Sequence, residues 1–593
     1  MMPLTPTLAL GQQYHRAGDY PRAEAVYRDL MQRGPPSAEL LYLLGSACLA
    51  QQNLPETIAY LRQAVALQPD YPEALHNLGV ALAQQRHFPE AAAYLRRAAQ
   101  VRPGWLEPIT NLGRLLQDQG DLDEAITCFC QALELHDTAE QHNQLGCALA
   151  LRGDYHLAVA HFSEAVRQEP RYAVAHTNLL LALSHDPTQE PAALLAEHRW
   201  WGRLHGPEMA FQPTFTNQPD PDRRLRIGYV SPDFRRGPLA AFIEPVLAAH
   251  DLAEVETFAY AELSQPDAVT QRLQGQVSGW RFTRGLNDVQ VAELIRTDGI
   301  DVLVDLAGHT ANHRLGVFAM QPAPVQVTYL GYPGTTGLAT IAYRLTDAVA
   351  DPPGEPVVHT EALVQLLGCF CCYAPPAEAP AVVPHPSGDY PITFGAPHKL
   401  LKLNERVLDL WARVLHAVPH SRLLISRNTL TAQARDRLVA RFGSQGIGAE
   451  RLELRKAAPD AAGYFGTYQA MDILLDSFPW TGHATTCEAL WMGVPVVTLA
   501  GNRFASRMAA SVLNAIGLPE LIATNEKQYV ATAARLATDR VELTRMRDEL
   551  RPRMQHSPLC DASVFTRGLE TAYRKMWRDW CKRSSGHRSP ATS

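Results

Sequence analysis

The sequence predicts an α-helical solenoid followed by two α/β lobes with parallel sheets. Two observations support this: a 34-residue period fills the first part of the chain, and strand-like and helix-like segments alternate in the rest. The chain has 593 residues, about four times the length of a typical domain, so we expect several folding units.

The composition excludes several classes of protein. Hydrophobic residues make up 46% of the chain and charged residues 19%, as in globular proteins. No uninterrupted apolar run is long enough to span a bilayer, so no membrane partner is expected. A net charge of -7 without a long basic stretch argues against nucleic acid as a partner. The start of the chain lacks the pattern of a signal peptide, so we expect a cytoplasmic protein with reduced cysteines.

The repeat is marked by regularly spaced glycines. They are Gly11, Gly45, Gly79, Gly113 and Gly146, separated by 34, 34, 34 and 33 residues. Twelve residues after each glycine comes a small side chain, and four residues later a bulky one (Tyr27, Leu61, Leu95, Phe129 and Phe162). This pattern resembles the tetratricopeptide repeat, with five copies over about 4–172 and a further first helix at 173–185. We therefore predict a solenoid over residues 1–190.

Three asparagines mark a candidate acceptor surface on this solenoid. Asn77, Asn111 and Asn178 each lie two residues before the glycine position of their repeat. An amide donates and accepts hydrogen bonds together, so such a row can hold the backbone of a protein or peptide partner. The alternative is that these amides only bridge neighbouring helices.

The second part of the chain predicts two doubly wound lobes. Strand-like runs such as LRIGYVSPDF and DVLVDL alternate with helical runs, which is typical of parallel sheets covered on both faces. A proline-rich stretch at 373–391 interrupts the alternation, which restarts at ITFGAP. The predicted parts are a linker helix and linker (191–223), an N-terminal lobe (224–385), a C-terminal lobe with a closing helix (386–583) and a flexible tail (584–593).

A candidate anion site follows the strand MDILLDSF. Ligands of such sheets bind beyond the carboxyl ends of the strands, where His483, Thr485 and Thr486 open a helix. Free amides at a helix start, together with hydroxyl groups, suit a diphosphate. One turn further on, Glu488 can accept hydrogen bonds from sugar hydroxyls. The alternative for the two threonines is a simple helix cap.

Further candidates follow other strands. Lys399 and Lys402 come just after ITFGAP, where a cation can neutralise a departing diphosphate, although lysines in that position are often only surface residues. Gly334 and Thr335 belong to the turn GYPGTTG, whose backbone can approach a ligand closely. His309 ends the strand DVLVDL and is a candidate in the cleft or a structural histidine.

Two long runs resemble a known enzyme family. DLAGHTANHRLGVFAMQPAPVQVTYLGYPGTTG and SFPWTGHATTCEALWMGVPVVTLAG, with the Lys402 segment between them, are similar to the catalytic half of the protein O-GlcNAc transferase and SPINDLY family. The resemblance implies two Rossmann-like lobes of the GT-B type. It also implies an inverting transfer of a sugar from a nucleotide diphosphate to serine or threonine of proteins, with no metal and no cofactor apart from the donor.

The family also implies roles for individual residues. Lys402 matches the lysine that contacts the donor diphosphate, His483, Thr485 and Thr486 match the phosphate loop, and Glu488 falls where the O-GlcNAc branch has an aspartate at the ribose. Lys399 replaces a phosphate-binding glutamine of that branch, and Ala484 replaces a threonine. GHTAN and TTCEALWMGVP are closer to SPINDLY, the branch that uses GDP-fucose. Gly482 and His483 instead resemble the O-GlcNAc branch, so we expect UDP-GlcNAc as the donor, with GDP-fucose as the alternative.

One position departs from the family. Both branches have a histidine near the acceptor, and this chain has Gly237 there. Glycine cannot accept the proton of the incoming hydroxyl, so His309, a donor phosphate oxygen or a water chain must do so. If none of them does, the chain is a noncatalytic scaffold.

Overall fold

The computed structural model describes residues 7–206, 214–384, 390–458 and 460–586. The chain divides into two compact units, Met1–Arg152 and Gly153–Ser593. The predicted borders of the solenoid, linker and lobes stay predictions, because a division into two compact units does not test them.

The first unit is a run of antiparallel helix pairs. Its described residues form α1 (Leu8–Arg16), α2 (Tyr20–Gln32), α3 (Ala38–Ala50), α4 (Leu54–Leu67), α5 (Pro72–Gln84), α6 (Phe88–Val101), α7 (Leu106–Gln119), α8 (Leu122–Leu135) and α9 (Ala139–Arg152). Each helix packs on the next, as expected for a repeat solenoid.

The repeat glycines let the two helices of a repeat touch. A Cβ on Gly11 would lie 2.4 Å from Cε1 of Tyr27, and one on Gly79 would lie 2.7 Å from Cγ of Leu95. These distances are too short for any side chain larger than hydrogen. In the repeats of Gly11, Gly45, Gly79 and Gly113, the bulky residue therefore packs on the glycine of its own repeat.

The second unit begins with three helices and a seven-stranded sheet. The helices are α10 (Tyr155–Gln168), α11 (Ala173–Leu183) and α12 (Pro191–His205). The sheet contains β1 (Leu225–Ser231), β2 (Val255–Ala261), β3 (Gly279–Phe282), β4 (Val302–Asp305), β5 (Val325–Thr328), β6 (Tyr343–Asp347) and β7 (Ala362–Leu366) in the order β3-β2-β1-β4-β5-β6-β7, all parallel. The helices between its strands are α13 (Ala240–Ala249), α14 (Ala268–Gln274), α15 (Asp288–Thr297) and α16 (Leu315–Ala319).

A second parallel sheet forms the C-terminal lobe. Its strands are β8 (Thr393–Ala396), β9 (Arg422–Ser426), β10 (Leu452–Arg455), β11 (Ile473–Leu475), β12 (Val496–Leu499) and β13 (Ile522–Ala523), in the order β10-β9-β8-β11-β12-β13. The helices are α17 (Glu405–Ala417), α18 (Ala432–Ser444), α19 (Ala461–Gln469), α20 (Ala484–Trp491), α21 (Met508–Ala515), α22 (Glu526–Thr538), α23 (Arg540–Gln555) and α24 (Ala562–Gly586). The predicted pair of parallel α/β lobes is confirmed.

The last helix returns to the first lobe. Phe565, Tyr573 and Trp577 of α24 belong to the same buried cluster as residues of β1, β4 and β5. The indole of Trp577 also donates to the carbonyl oxygen of Asp220 at 2.8 Å. The helix runs to Gly586, so the predicted start of the tail, at residue 584, lies inside it. Residues 587–593 lie outside the described residues.

Candidate active site

Three adjacent strands of the second lobe bring cations to one edge of the sheet. β8 lies between β9 and β11, and all three are parallel, so their carboxyl ends meet. Arg427 follows β9, while Lys399 and Lys402 follow β8. The loop after β11 carries Asp476 and leads into α20. This edge is where parallel α/β sheets bind ligands.

Lys402 is partly buried at this edge. Its Nζ donates to the carbonyl oxygen of Thr481 at 2.9 Å and lies 5.8 Å from the centroid of the Trp480 ring. Burial lowers the pKa of Lys402, the positive charges of Lys399 and Arg427 lower it further, and the Asp476 carboxylate opposes both effects. An ammonium with few partners in such surroundings gains most when an anion binds.

Asp476 folds the loop that faces Lys402. Its Oδ1 accepts from the backbone amides of Ser477 and Gly482 at 2.9 and 2.8 Å, and its Oδ2 accepts from the Thr498 hydroxyl at 2.7 Å. The carboxylate is fully buried, and burial raises its pKa, whereas Lys402 and these hydrogen bonds lower it. Asp476 therefore holds the turn that presents the Thr481 carbonyl to Lys402.

Polar groups at the start of α20 lack hydrogen-bond partners among the described residues. No side chain of the described residues caps this helix at its N-terminal residue His483. The hydroxyl of Thr486 and Nε2 of His483 are buried without a hydrogen-bond partner in the described structure. Free amides and hydroxyls at a helix start can bind an anion. The N-cap residue is His483, so neither threonine occupies the cap position of this helix. Thr485 and Thr486 both lie in its first turn.

The ring of His483 is held by the first lobe. It stacks on Phe242 of α13 at a centroid distance of 3.9 Å and an interplanar angle of 17°, and Phe370 lies 4.9 Å away. Burial and the nearby charge of Lys402 lower the pKa of His483 to about 3. The imidazole is therefore neutral at physiological pH.

Glu488 is oriented by two tyrosines that the sequence analysis missed. Its Oε2 accepts from the hydroxyls of Tyr464 and Tyr468 on α19, at 2.6 and 2.7 Å. Burial raises the pKa of Glu488, and the two hydroxyls oppose this shift. Oε1 remains to accept hydrogen bonds from a ligand.

Charged residues of both lobes influence Lys399. The surrounding protein desolvates its ammonium group and lowers its pKa, Arg427 lowers the pKa further, and Asp233 after β1 raises it. Desolvation raises the pKa of Asp233 itself, and Arg235 and Lys399 counteract this effect. The second lobe thus supplies the positive charges of Lys399 and Arg427, and the first lobe supplies the Asp233 carboxylate.

Thr335 is committed to the protein itself. Its hydroxyl donates to Oε2 of Glu361 at 2.6 Å and accepts from the amide of Thr360 at 2.9 Å. Arg344 donates to the carbonyl oxygen of Gly334 at 2.5 Å. These bonds give the turn a structural role, so the geometry does not favour Gly334 and Thr335 as donor ligands.

His309 is fully buried. One ring nitrogen, Nε2, lies 2.8 Å from the carbonyl oxygen of Thr336 and must donate to it, while Nδ1 is buried without a partner among the described residues. Desolvation, followed by repulsion from His198 and His313, lowers the pKa of His309 well below its usual value. This position does not favour His309 as the acceptor of a substrate proton, and it supports the structural alternative.

Gly237 lies in open space. A Cβ there would approach only the carbonyl oxygen of Arg235, at 3.9 Å, and the residue does not have a positive φ. The backbone therefore does not require glycine, and a histidine would fit.

The three asparagines are half-buried, and two of them bridge helices. The amide of Asn111 on α7 lies 2.9 Å from Nε2 of His76 on α5. Asn77 hydrogen-bonds to Tyr42 on α3. Asn178 lies on α11 in the second unit. Bridging, the alternative given above, is thus observed for Asn77 and Asn111, and acceptor binding stays a prediction for all three.

The described residues contain one cluster with the spacing of metal ligands. It consists of Glu24, Cys48 and Glu56 in the first unit, and Arg28 already forms ion pairs with both of its carboxylates. No described helix is both long enough and apolar enough to cross a membrane.

Comparison with known proteins identifies the family. The model of glycosyltransferase family 41 matches residues 172–371 and 386–569, and models of the tetratricopeptide repeat match 8–72, 72–105 and 110–173. The chain belongs to glycosyltransferase family 41. The family 41 match includes every residue of the candidate site after β8.

Relatives and a solved structure agree with this family 41 assignment. The chain is 42% identical over 422 residues to a tomato protein (Solanum lycopersicum) named probable UDP-N-acetylglucosamine–peptide N-acetylglucosaminyltransferase SPINDLY, covering 70% of this chain and 45% of that one. A Caenorhabditis elegans UDP-N-acetylglucosamine–peptide N-acetylglucosaminyltransferase is 26% identical over 475 residues, covering 60% and 41%. A mutant O-GlcNAc transferase of Thermobaculum terrenum matches with a TM-score of 0.76 and 34% identity, covering 92% of this chain and 98% of that one. The chain thus spans about half the length of the curated relatives it matches.

Proposed function

We propose that this family 41 protein transfers N-acetylglucosamine from UDP-GlcNAc to serine or threonine hydroxyls of proteins, with inversion and without a metal. The observation that carries the proposal is the placement of Lys402 beside the uncapped start of α20. A leaving diphosphate needs positive charge and hydrogen-bond donors as the glycosidic bond breaks, and this edge of the sheet offers both.

The donor sugar is argued from the relatives. The tomato and Caenorhabditis elegans proteins carry names that specify UDP-N-acetylglucosamine, which does not favour the GDP-fucose alternative. Glu488, held by Tyr464 and Tyr468, supports a ribose site with Oε1 as the acceptor.

The chemistry is a single displacement. The acceptor oxygen forms a bond to the anomeric carbon while the bond from that carbon to the diphosphate oxygen breaks, and the electron pair leaves with UDP. Lys402 and the amides of α20 stabilise the developing negative charge. Because Gly237 has no side chain and His309 is buried, we assign the acceptor proton to an oxygen of the donor diphosphate.

The acceptor is a protein or peptide, which we place on the repeats. Half-buried amides such as Asn77 and Asn111 retain atoms that can bond a peptide backbone while they bridge helices. The acceptor proteins themselves are not specified by these contacts.

A donor panel tests the proposal. The purified chain is incubated with UDP-GlcNAc or GDP-fucose, with and without EDTA, and hydrolysis and transfer to serine and threonine peptides are measured separately. We expect transfer from UDP-GlcNAc that EDTA does not reduce. Preference for GDP-fucose would overturn the donor assignment.

A scaffold is the second candidate, and Gly237 is the observation that favours it. Calorimetry with UDP and GDP separates the two functions. A scaffold with a decayed site binds neither nucleotide, whereas the transferase binds UDP.

A further inference from the structure

The loop between α11 and α12 is fastened to three parts of the second unit. The hydroxyl groups of Ser184 and Tyr332 lie 2.8 Å apart. Asp186 accepts from the Tyr155 hydroxyl at 2.9 Å, and its carbonyl oxygen accepts from Nη2 of Arg503 at 2.9 Å. The loop is therefore held by α10, by the first lobe and by the second lobe.

His185 is the residue of this loop that reaches the candidate active site. Its ring stacks on Trp480 with a centroid distance of 4.3 Å and an interplanar angle of 14°. Nδ1 lies 2.8 Å from the carbonyl oxygen of Leu181 and donates a hydrogen bond to it. The side chain is almost completely buried.

Trp480 links this stack to Lys402. The Lys402 ammonium lies over the indole, and its hydrogen-bond acceptor is the carbonyl of the next residue, Thr481. On another side, the ring of Tyr332 approaches Trp480 edge-on at 6.0 Å. A shift of the indole would therefore move both partners of Lys402.

We propose that His185 is a positioning residue for the diphosphate site, acting through Trp480 on Lys402. The flat neutral ring covers one face of the indole, which keeps that face dry and the indole in place. A cation–π contact is stronger when water is excluded, so the His185 ring also stabilises the contact of the Lys402 ammonium with Trp480. The inference rests on the proposed function, because it assigns Lys402 to the diphosphate.

Neutrality of the imidazole is part of this role. Burial lowers the pKa of His185 to about 3, and Lys402, Lys399 and Arg503 contribute in the same direction, against the hydrogen bond to Leu181. A charged ring would repel the same cations that the diphosphate needs. The role that we assign to His185 therefore depends on the shape and the stacking of its neutral ring.

Two substitutions separate stacking from acid–base chemistry. His185→Ala removes the ring, and His185→Phe keeps a ring of similar shape without nitrogen atoms. We expect kcat with UDP-GlcNAc to fall about tenfold or more in the alanine variant and to stay within about threefold of the parent in the phenylalanine variant. The matched control is His556→Ala, which removes an exposed histidine on the chain after α23.

Hydrogen exchange supplies a readout that does not depend on activity. Amides of residues 477–484 are expected to exchange faster in His185→Ala than in the parent, and at the parental rate in His185→Phe. Equal loss of activity in both variants would overturn the proposal, since the nitrogen atoms would then be needed. Unchanged kcat and exchange in His185→Ala would also overturn it. If the parent chain transfers no sugar, the proposed function fails, and the exchange rates still decide whether His185 orders this loop.

Discussion

The Nζ atom of Lys402 donates to the carbonyl oxygen of Thr481 at 2.9 Å, and the next residue along the chain, Gly482, donates its amide to Asp476. One buried carboxylate therefore shapes the turn that holds the lysine. The lysine and the open start of α20 then lie side by side, which is the arrangement that a departing diphosphate requires.

Lys402→Met should reduce kcat by about 10²-fold or more, because the charge that stabilises the leaving diphosphate is lost. The methionine keeps the length and apolar stem of the side chain, so the melting temperature should not fall. Initial rates with UDP-GlcNAc measure the effect. Lys527→Met, on the exposed face of α22, is the control. A near-parental rate in Lys402→Met would return Lys402 to an ordinary surface role.

Gly237→His tests which group accepts the proton. The site accommodates a side chain, so the variant should fold with an unchanged melting temperature. If a donor phosphate oxygen accepts the proton, the rate should change by less than about threefold. If the chain instead lacks a base, the new histidine should raise the rate, by part of the roughly 10²–10⁴-fold that acid–base catalysis contributes. Single-turnover rates across pH distinguish the two results.

His309→Ala complements that variant. Because His309 is fully buried and bonded to the Thr336 carbonyl, its loss should lower the melting temperature as well as the rate. A variant with parental stability and a rate reduced about 10³-fold would instead make His309 the proton acceptor, against the buried geometry.

Tyr468→Phe should raise KM for UDP-GlcNAc about threefold to tenfold with a smaller change in kcat. The variant removes one of two hydrogen bonds that orient Glu488 Oε2, at a cost of about 1 kcal/mol. Glu488→Gln should also raise KM for UDP-GlcNAc, and by a larger factor. Steady-state kinetics at varied donor concentration provide the test, and an unchanged KM in both variants would contradict a ribose role for Glu488.

The second unit should lose stability as pH falls from about 6.5 to 4. Burial lowers the pKa of His198 and of His313 to about 4, and that of His309 further. Below 6.5 the unfolded chain binds protons that the native state excludes, so the free energy of unfolding falls with pH, by about 1–2 kcal/mol per such histidine at pH 5. Thermal unfolding at pH 7 and pH 5 measures the drop. His198→Gln should make the drop smaller, and His87→Gln, an exposed control on the first unit, should leave it unchanged.

Local sequence patterns were enough to predict most of the helices and strands of the fold. The 34-residue spacing predicted helix pairs because each repeat needs a glycine under its bulky residue, as Gly11 and Tyr27 show. Strands such as β1, β4 and β8 were recognisable as apolar runs. The edge strands β3 and β10 were missed, because strands of only four half-exposed residues have no distinctive pattern.

The sequence by itself determined which residues end the strands and begin α20, and so it predicted Lys399, Lys402, His483 and Glu488 as a group. The tertiary structure decided the rest. The order β9-β8-β11 places Arg427 and Asp476 beside Lys402, and strand order depends on packing between distant segments. The contact of His185 with Trp480 joins residues almost 300 positions apart. The hydrogen bond of Thr335 to Glu361 gives a structural role to a residue that the sequence suggested as a donor ligand. Such contacts leave no local trace in a sequence, because they arise only when the chain has folded and each buried polar group has found its partner.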